Sequence, residues 1–453
     1  MASLWFEDAL LADGWAARVR LTLHGGYIEH VEKDVPRAPT DQTFGIAIPG
    51  LCNVHSHAFQ RGMAGLSQRR GPEYDDFWTW REVMYRFLDR LSPEDVEAIS
   101  AQAFAEMLEA GFTRVGEFHY LHNDSDGRPY AHAGELSDRV VAAAGETGIG
   151  LTLLPVFYAH GGFGGAAPSP GQRRFISDPD RFARLVEHGR AAAAALPDAV
   201  VGIAPHSLRA VTPDELAAVL VLANAAPVHI HVAEQIREVA DCHAWSGARP
   251  VRWLLDHVAV DARWCLIHAT HVDADEVMAI AARGAVAGLC PITEADLGDG
   301  VFPLPAFLEA GGRLAIGTDS NVLIDAAGEL RALEYAQRLT LRARNILAPV
   351  VGASVGAALF AGAQAGGARA LGVDAPGLAV GAVADIVALD LRHPSMAARR
   401  GDDGMDAWIF AGGRTAVEAV WRRGEAVVVQ GRHRNAEAIA TRYRAALSRL
   451  LAA

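Results

Sequence analysis

The sequence predicts an α/β fold built on a (β/α)8 TIM-type barrel, with a small β-sandwich formed by the N- and C-terminal segments. Three observations predict it. Between about residues 46 and 345, short apolar runs alternate with helix-like segments, the pattern of parallel βα units. Eight such runs end near His55, Phe118, Val156, His206, His231, His268, Cys290 and Asp319, the number that closes a barrel. At both ends of the chain the pattern changes to two-residue alternation, over Val19 to Val31, Ala384 to Asp390 and Val417 to Val429, as in a sheet with one face buried.

Helical stretches fall between the barrel strands, for example Pro93 to Ala110, Pro213 to Ala223, Asp273 to Arg283 and Gly328 to Arg344, several opened by Ser, Thr or Asp caps. The chain then divides into a β-sandwich of residues 1–46 and 375–433, a barrel of residues 47–374 and a C-terminal helix in 434–453. Two insertions interrupt the barrel. His160 to Phe175 is too rich in Gly and Pro for regular structure, and its length suits an active-site lid. Tyr74 to Leu91 carries Phe77, Trp78, Trp80, Tyr85 and Phe87, which read as packing under a helix, while Arg81 stands apart from them. The run Val350 to Val373 is mostly Ala and Gly and is broken by Gln364 and Arg369, which predicts a close-packed helix rather than a membrane span.

Composition narrows the function. The 453 residues are 51% hydrophobic and 21% charged, enough for a sizeable core. Net charge is −13 and no segment concentrates Lys or Arg, which argues against nucleic acid as a partner. Cys52, Cys242, Cys265 and Cys290 are widely spaced, so neither a disulfide scaffold nor a thiolate cluster is indicated, and a reducing, cytoplasmic compartment fits. The N-terminal stretch is acidic where a secretion signal is basic. Lys33 is the only lysine.

Chemistry concentrates at strand ends. In IPGLCNVHSHAFQR the first barrel strand ends in His55 and His57. Residues i and i+2 of a strand point to one face, so both imidazoles can reach one ion from one rigid element. His231 in PVHIHVAEQ, His268 in WCLIHATH and Asp319 in LAIGTDSN end three further strands. The carboxyl ends of barrel strands converge on one face, which can bring these distant residues together. Nitrogen and carboxylate donors without cysteine favour zinc, with iron(II) and manganese as alternatives.

These residues resemble the amidohydrolase superfamily, whose members carry HxH after strand one, histidines after strands five and six, and an aspartate after strand eight. The resemblance spans nearly the whole chain and includes the closing motif GLAVGAVADIVALD, Gly377 to Asp390. It implies a metal held by His55, His57, His231 and Asp319. Members with two metals bridge them by a modified lysine at the end of strand four. Here that position is His206, and Lys33 precedes the barrel. One zinc per subunit is therefore expected, as in the deaminases of the superfamily. Glu234 stands three residues beyond His231, the HxxE arrangement of those deaminases, where a carboxylate can move a proton from the attacking water to the leaving nitrogen. Asp319 would both ligate and accept a proton. His268 either polarises the attacking oxygen or completes a five-coordinate shell.

Seven segments, HSHAFQRGMAGL, DDFWTWREVMYR, EFHYLHND, HSLRAVTP, HVAEQ, WCLIHATH and TEADLGDGVFP, closely resemble the formimidoylglutamate deiminase family of bacterial histidine degradation. That resemblance implies a homodimer that hydrolyses N-formimino-L-glutamate to N-formyl-L-glutamate and ammonia, with Gln60, Arg81, Tyr120, His206 and Arg209 holding the substrate. Arginine suits the task because its planar fork pairs with carboxylates bidentately. The eighth-strand motif, commonly GSDS in the family, reads Gly317, Thr318, Asp319, Ser320 and keeps the ligand. The following helix opens Ala326, Ala327, Gly328, Glu329 where the family has a further acidic residue, a change expected to touch only a surface feature.

Two other readings fit part of the pattern. One is a mononuclear deaminase of guanine, an adenosine-type or a cytosine-type substrate, against which two well-placed arginines argue. The other is a non-catalytic metal- or ligand-binding barrel, whose mark would be loss of a ligand or of Glu234. Neither has been lost.

Overall fold

The computed structural model describes residues 2–71 and 75–452. Tyr74, at the start of the aromatic insertion, lies outside the described residues. The barrel strands are Leu51–Ser56, Phe112–His119, Gly150–Phe157, the broken fourth strand Val200–Val201 and Ala204–Pro205, then Val228–Val232, Trp264–His268, Val286–Leu289 and Arg313–Ile316. Neighbours pair in parallel. Bridges from Ile203 to Val228, Ser207 to His231 and Ser56 to Asp319 join the two runs of strands and close the ring. The eighth strand stops at Ile316, short of Asp319, because the chain enters a left-handed turn there, with φ 44° at Asp319.

The terminal segments meet through Gln42–Pro49, which pairs with Ala2–Leu11 on one side and Ile386–Leu389 on the other and so runs past residue 46. Two-residue alternation gives each face of this sheet its own core. Ala47, Ile386, Ala388 and Trp421 pack with Leu4, Phe6 and Leu21, whereas Ile46, Ile48, Val387, Leu389 and Val420 join the core of the barrel. Phe6 and Trp421 lie on strands three apart in the sheet order, yet their ring centroids are 6.3 Å apart. Three strand spacings of a flat sheet span roughly 14 Å, so the sheet curls over its own face and the separate core is enclosed. The sequence pattern does not reveal the strand Ala2–Leu11, because its buried positions change phase at Asp8 and Ala9.

Helix starts follow the caps. Ser92, Thr212 and Asp273 each close a capping box in front of Pro93–Glu109, Pro213–Leu220 and Ala274–Arg283. The start of Ala326–Leu341 differs from expectation. Ala326, Ala327 and Glu329 are fully buried, and Glu329 Oε2 accepts a hydrogen bond from Ile292 N at 3.0 Å, so this turn is part of the barrel interior rather than a surface feature. No helix among the described residues is long and apolar enough to cross a membrane.

The small-residue segment forms the helix Val355–Ala370, which lies on the eighth strand. A methyl group on Gly366 would overlap the Leu314 carbonyl oxygen of that strand. Gly366→Ala is therefore expected to destabilise the fold by about 1–3 kcal/mol, read as a lower midpoint of thermal denaturation. An unchanged midpoint would refute the close packing.

Candidate metal centre and its pocket

The end of the first strand turns His55 and His57 toward the ends of strands five and eight. His55 Nε2 lies 3.0 Å from His231 Nε2 and 3.1 Å from Asp319 Oδ1, and His57 Nε2 lies 3.2 Å from the same Asp319 oxygen. One ligand atom from each of the four residues falls within 4.8 Å of all the others. His57 Nδ1 faces the Phe118 carbonyl oxygen and His231 Nδ1 the His206 carbonyl oxygen, each at 3.0 Å. A ring nitrogen facing a carbonyl must donate, which leaves the lone pair on Nε2 and aims it inward.

Burial keeps these rings neutral. It pushes the His55 ring down to about 3 and holds His57 and His231 below the ordinary histidine range. Burial also opposes the Asp319 charge, but the hydrogen bond with His55 and the surrounding imidazoles outweigh it and hold that carboxyl low. Inward-facing lone pairs and a carboxylate thus outnumber the protons available to satisfy them. A divalent cation satisfies such a set, and three nitrogens with one oxygen suit a small tetrahedral ion.

Backbone contacts hold these side chains in place. Thr318 N and Asp319 N both donate to the His55 carbonyl oxygen, at 3.0 and 2.9 Å, while His57 N donates to the Asp319 carbonyl oxygen at 2.9 Å. Gly317 permits this approach, since a side chain there would stand 2.8 Å from His55 Cβ. The Thr318 hydroxyl accepts from Asn53 Nδ2 at 2.7 Å and donates to Asn321 Oδ1 at 2.6 Å, so the threonine keeps a hydroxyl bridge between strands one and eight.

Glu234 and His268 stand beside the donor set. His268 Nε2 is 3.8 Å from Glu234 Oε1 and 3.9 Å from Asp319 Oδ2, and its Nδ1 is 3.2 Å from Glu294 Oε1. Burial raises Glu234 to about 7 against the pull of His268 and Arg209. Burial disfavours a charged His268, but Glu234, Glu294 and Asp319 outweigh it and push that ring up to about 10. A bound cation would lower both values. Glu294 has no role in the sequence pattern, although it follows the end of the seventh strand closely enough for the same strand-end logic to reach it.

A cavity opens onto this group. Gln60, Arg81, Tyr120, His206 and Arg209 all line it, with His57, His231, Glu234, His268 and Asp319 at its floor; His55 is fully buried behind. Gln60 Nε2 donates to Tyr120 Oη at 2.8 Å, while Gln60 Oε1 and the Nε atoms of Arg81 and Arg209 have no hydrogen-bond partner among the described residues. Phe77, Trp80 and Tyr85, read from sequence as packing, line the cavity too. Phe175, the last residue of the Gly- and Pro-rich loop, forms part of the wall beside Tyr158. Arg174 pins that end of the loop, donating from Nε to Asn123 O at 3.0 Å and from Nη1 to Leu91 O at 3.1 Å.

The donor set predicts one divalent ion per chain. His55→Ala should weaken binding by at least about 100-fold, since loss of even an outer partner of a ligand costs 10–100-fold. Metal analysis after gel filtration checks this, and full occupancy in the variant would exclude His55 as a ligand.

Residues 46–429 match the family model described as Amidohydrolase family, and residues 1–44 match Formimidoylglutamate deiminase HutF, N-terminal domain. The chain is 50% identical over 453 residues to the formimidoylglutamate deiminase of Pseudomonas aeruginosa, covering 100% of both chains. It is 27% identical to the 8-oxoguanine deaminase of the same organism, also over 100% of both. A crystal structure of an amidohydrolase from Brucella melitensis has a TM-score of 0.95 and 55% identity, covering 100% of both chains. An adenosine deaminase from Xanthomonas campestris with bound zinc shares the fold, with a TM-score of 0.83 and 23% identity over 100% of this chain and 99% of that one. With a family match over most of its length and a half-identical relative over all of it, the chain belongs to the amidohydrolase family.

Proposed function

We propose that this chain is a zinc-dependent formimidoylglutamate deiminase, which converts N-formimino-L-glutamate and water to N-formyl-L-glutamate and ammonia. The observation that carries the reading is the pair of guanidinium groups, Arg81 and Arg209, that share one cavity with the donor set and Glu234. The substrate has two carboxylates, and each arginine can take one in a bidentate fork. The half-identical Pseudomonas aeruginosa relative supports the same substrate.

His55, His57, His231 and Asp319 Oδ1 would hold the zinc, which lowers the pKa of its bound water to about 7. Glu234 takes a proton from the attacking water and gives it to the imino nitrogen as the carbon–oxygen bond forms. The second water proton follows the same route, with Asp319 Oδ2 as its first acceptor, and the carbon–nitrogen bond breaks with ammonia leaving. His268, backed by Glu294, donates toward the attacking oxygen between Glu234 and Asp319. Gln60, Tyr120 and His206 orient the rest of the substrate. A homodimer, a cytoplasmic location and a place in histidine degradation rest on the family resemblance.

Ammonia release by the zinc-loaded enzyme from N-formimino-L-glutamate and from guanine tests the reading. Turnover of guanine alone would move the chain to the purine deaminases, and ammonia from neither would favour a binding protein. Glu234→Gln should lower kcat by roughly 10²–10⁴ with metal content unchanged, and wild-type turnover would remove the proton-carrier role. Arg209→Met should raise KM about 10- to 100-fold, the equivalent of a lost charged hydrogen bond of about 1.5–3 kcal/mol. An unaltered KM would exclude Arg209 from substrate binding.

A further inference from the structure

Three guanidinium groups gather on the ring of Trp78, the second residue of the helix Phe77–Leu88. Arg81 Cζ lies 4.5 Å from the ring centroid, Arg237 Cζ 4.7 Å and Arg209 Cζ 5.7 Å, all within the roughly 6 Å reach of a cation–π attraction. They come from three parts of the fold. Arg81 is one helical turn beyond Trp78, Arg209 follows the fourth barrel strand, and Arg237 lies in the first turn of the helix Ile236–Ser246. Asp76 Oδ1 accepts from the backbone N of Trp78 at 2.9 Å and so caps the turn that carries it, and the Phe77 ring packs edge-on against the Trp78 ring with centroids 5.2 Å apart.

Like charges repel, and that repulsion grows where water is excluded. Arg237 pairs with Asp241 at 3.6 Å and Arg209 feels Glu238 and has Glu234 at 4.0 Å, the limit of ion-pair reach, whereas the Nε atoms of Arg81 and Arg209 have no hydrogen-bond partner among the described residues. A carboxylate placed between these arginines would balance them but would compete with a substrate carboxylate for the same N–H groups. A tryptophan face attracts the cations and accepts none of their bidentate hydrogen bonds.

We infer that Trp78 is a positioning residue that holds Arg81 and Arg209 side by side for two carboxylates, and so sets the preference of the pocket for dianions over monoanions. The inference takes its substrate from the function proposed above. Its binding readout does not depend on turnover.

The test uses the zinc-loaded full chain with Trp78→Leu, which keeps bulk without an aromatic face, and Trp78→Phe, which keeps a face. Kinetics are measured with N-formimino-L-glutamate. Calorimetry compares glutarate, with two carboxylates, and butyrate, with one. Trp78→Leu should raise KM about tenfold or more with kcat within about threefold, and should lower the glutarate-to-butyrate affinity ratio about tenfold; Trp78→Phe should stay within about threefold of wild type on both. A helix that is merely loosened would weaken both ligands and leave the ratio unchanged. An unchanged ratio in Trp78→Leu, equal losses in the two variants, or no glutarate preference in the wild type overturns the inference. A wild type that prefers glutarate but releases no ammonia from N-formimino-L-glutamate overturns the functional reading instead, and the affinity ratios then decide the role of Trp78.

Discussion

Three imidazoles and a carboxylate are packed against one another at the seam between the first, fifth and eighth barrel strands, where little water reaches them. Burial alone would make this arrangement costly, since charged and lone-pair atoms face each other without enough protons. The surrounding architecture answers that constraint. Two main-chain carbonyls fix the ring orientations of His57 and His231, and a glycine lets strand eight approach His55. The left-handed turn at Asp319 is held by hydrogen bonds to His55 and His57. A conformation of that kind costs about 1–3 kcal/mol at a non-glycine residue, and here it directs a carboxylate oxygen at two imidazoles.

The same low-polarity setting governs the neighbouring groups. Glu234 is held near neutrality by burial, while His268 is drawn toward its charged form by three carboxylates. A carboxyl raised to near 7 can exchange protons near neutral pH, which an ordinary carboxylate does less well, while a charged imidazole beside it can donate to a neighbouring oxygen. Across the cavity the problem reverses. Arg81 and Arg209 bring two guanidinium groups to one wall, with Glu238 and Glu234 acting on Arg209, and the aromatic face of Trp78 lies against both cations without offering a carboxylate that would take the ligand's place.

Legibility from sequence followed the range of the interactions. The barrel strands were readable because a strand with both faces buried is apolar throughout, and the first-strand histidines because a two-residue spacing puts both on one face. The lack of a barrel lysine was readable from composition. The strand Ala2–Leu11 was not, since its alternation breaks at Asp8 and Ala9. Aromatic residues of the helix Phe77–Leu88 looked like packing because local periodicity says which side of a helix is apolar, not whether that side meets a core or a cavity.

By itself, the sequence determined the eight-strand pattern, the supply of histidine and carboxylate donors at strand ends, and the absence of any lysine to bridge a second metal. All of these are matters of composition and of the short repeat along a strand. Only the tertiary structure decided which ring nitrogens face inward, that Glu294 stands behind His268, that Glu329 is interior, and that Arg81, Arg209 and Arg237 share the ring of Trp78. Those relations join residues carried by separate turns and helices, and their distances are set by how the helices pack around the barrel rather than by any pattern along the chain.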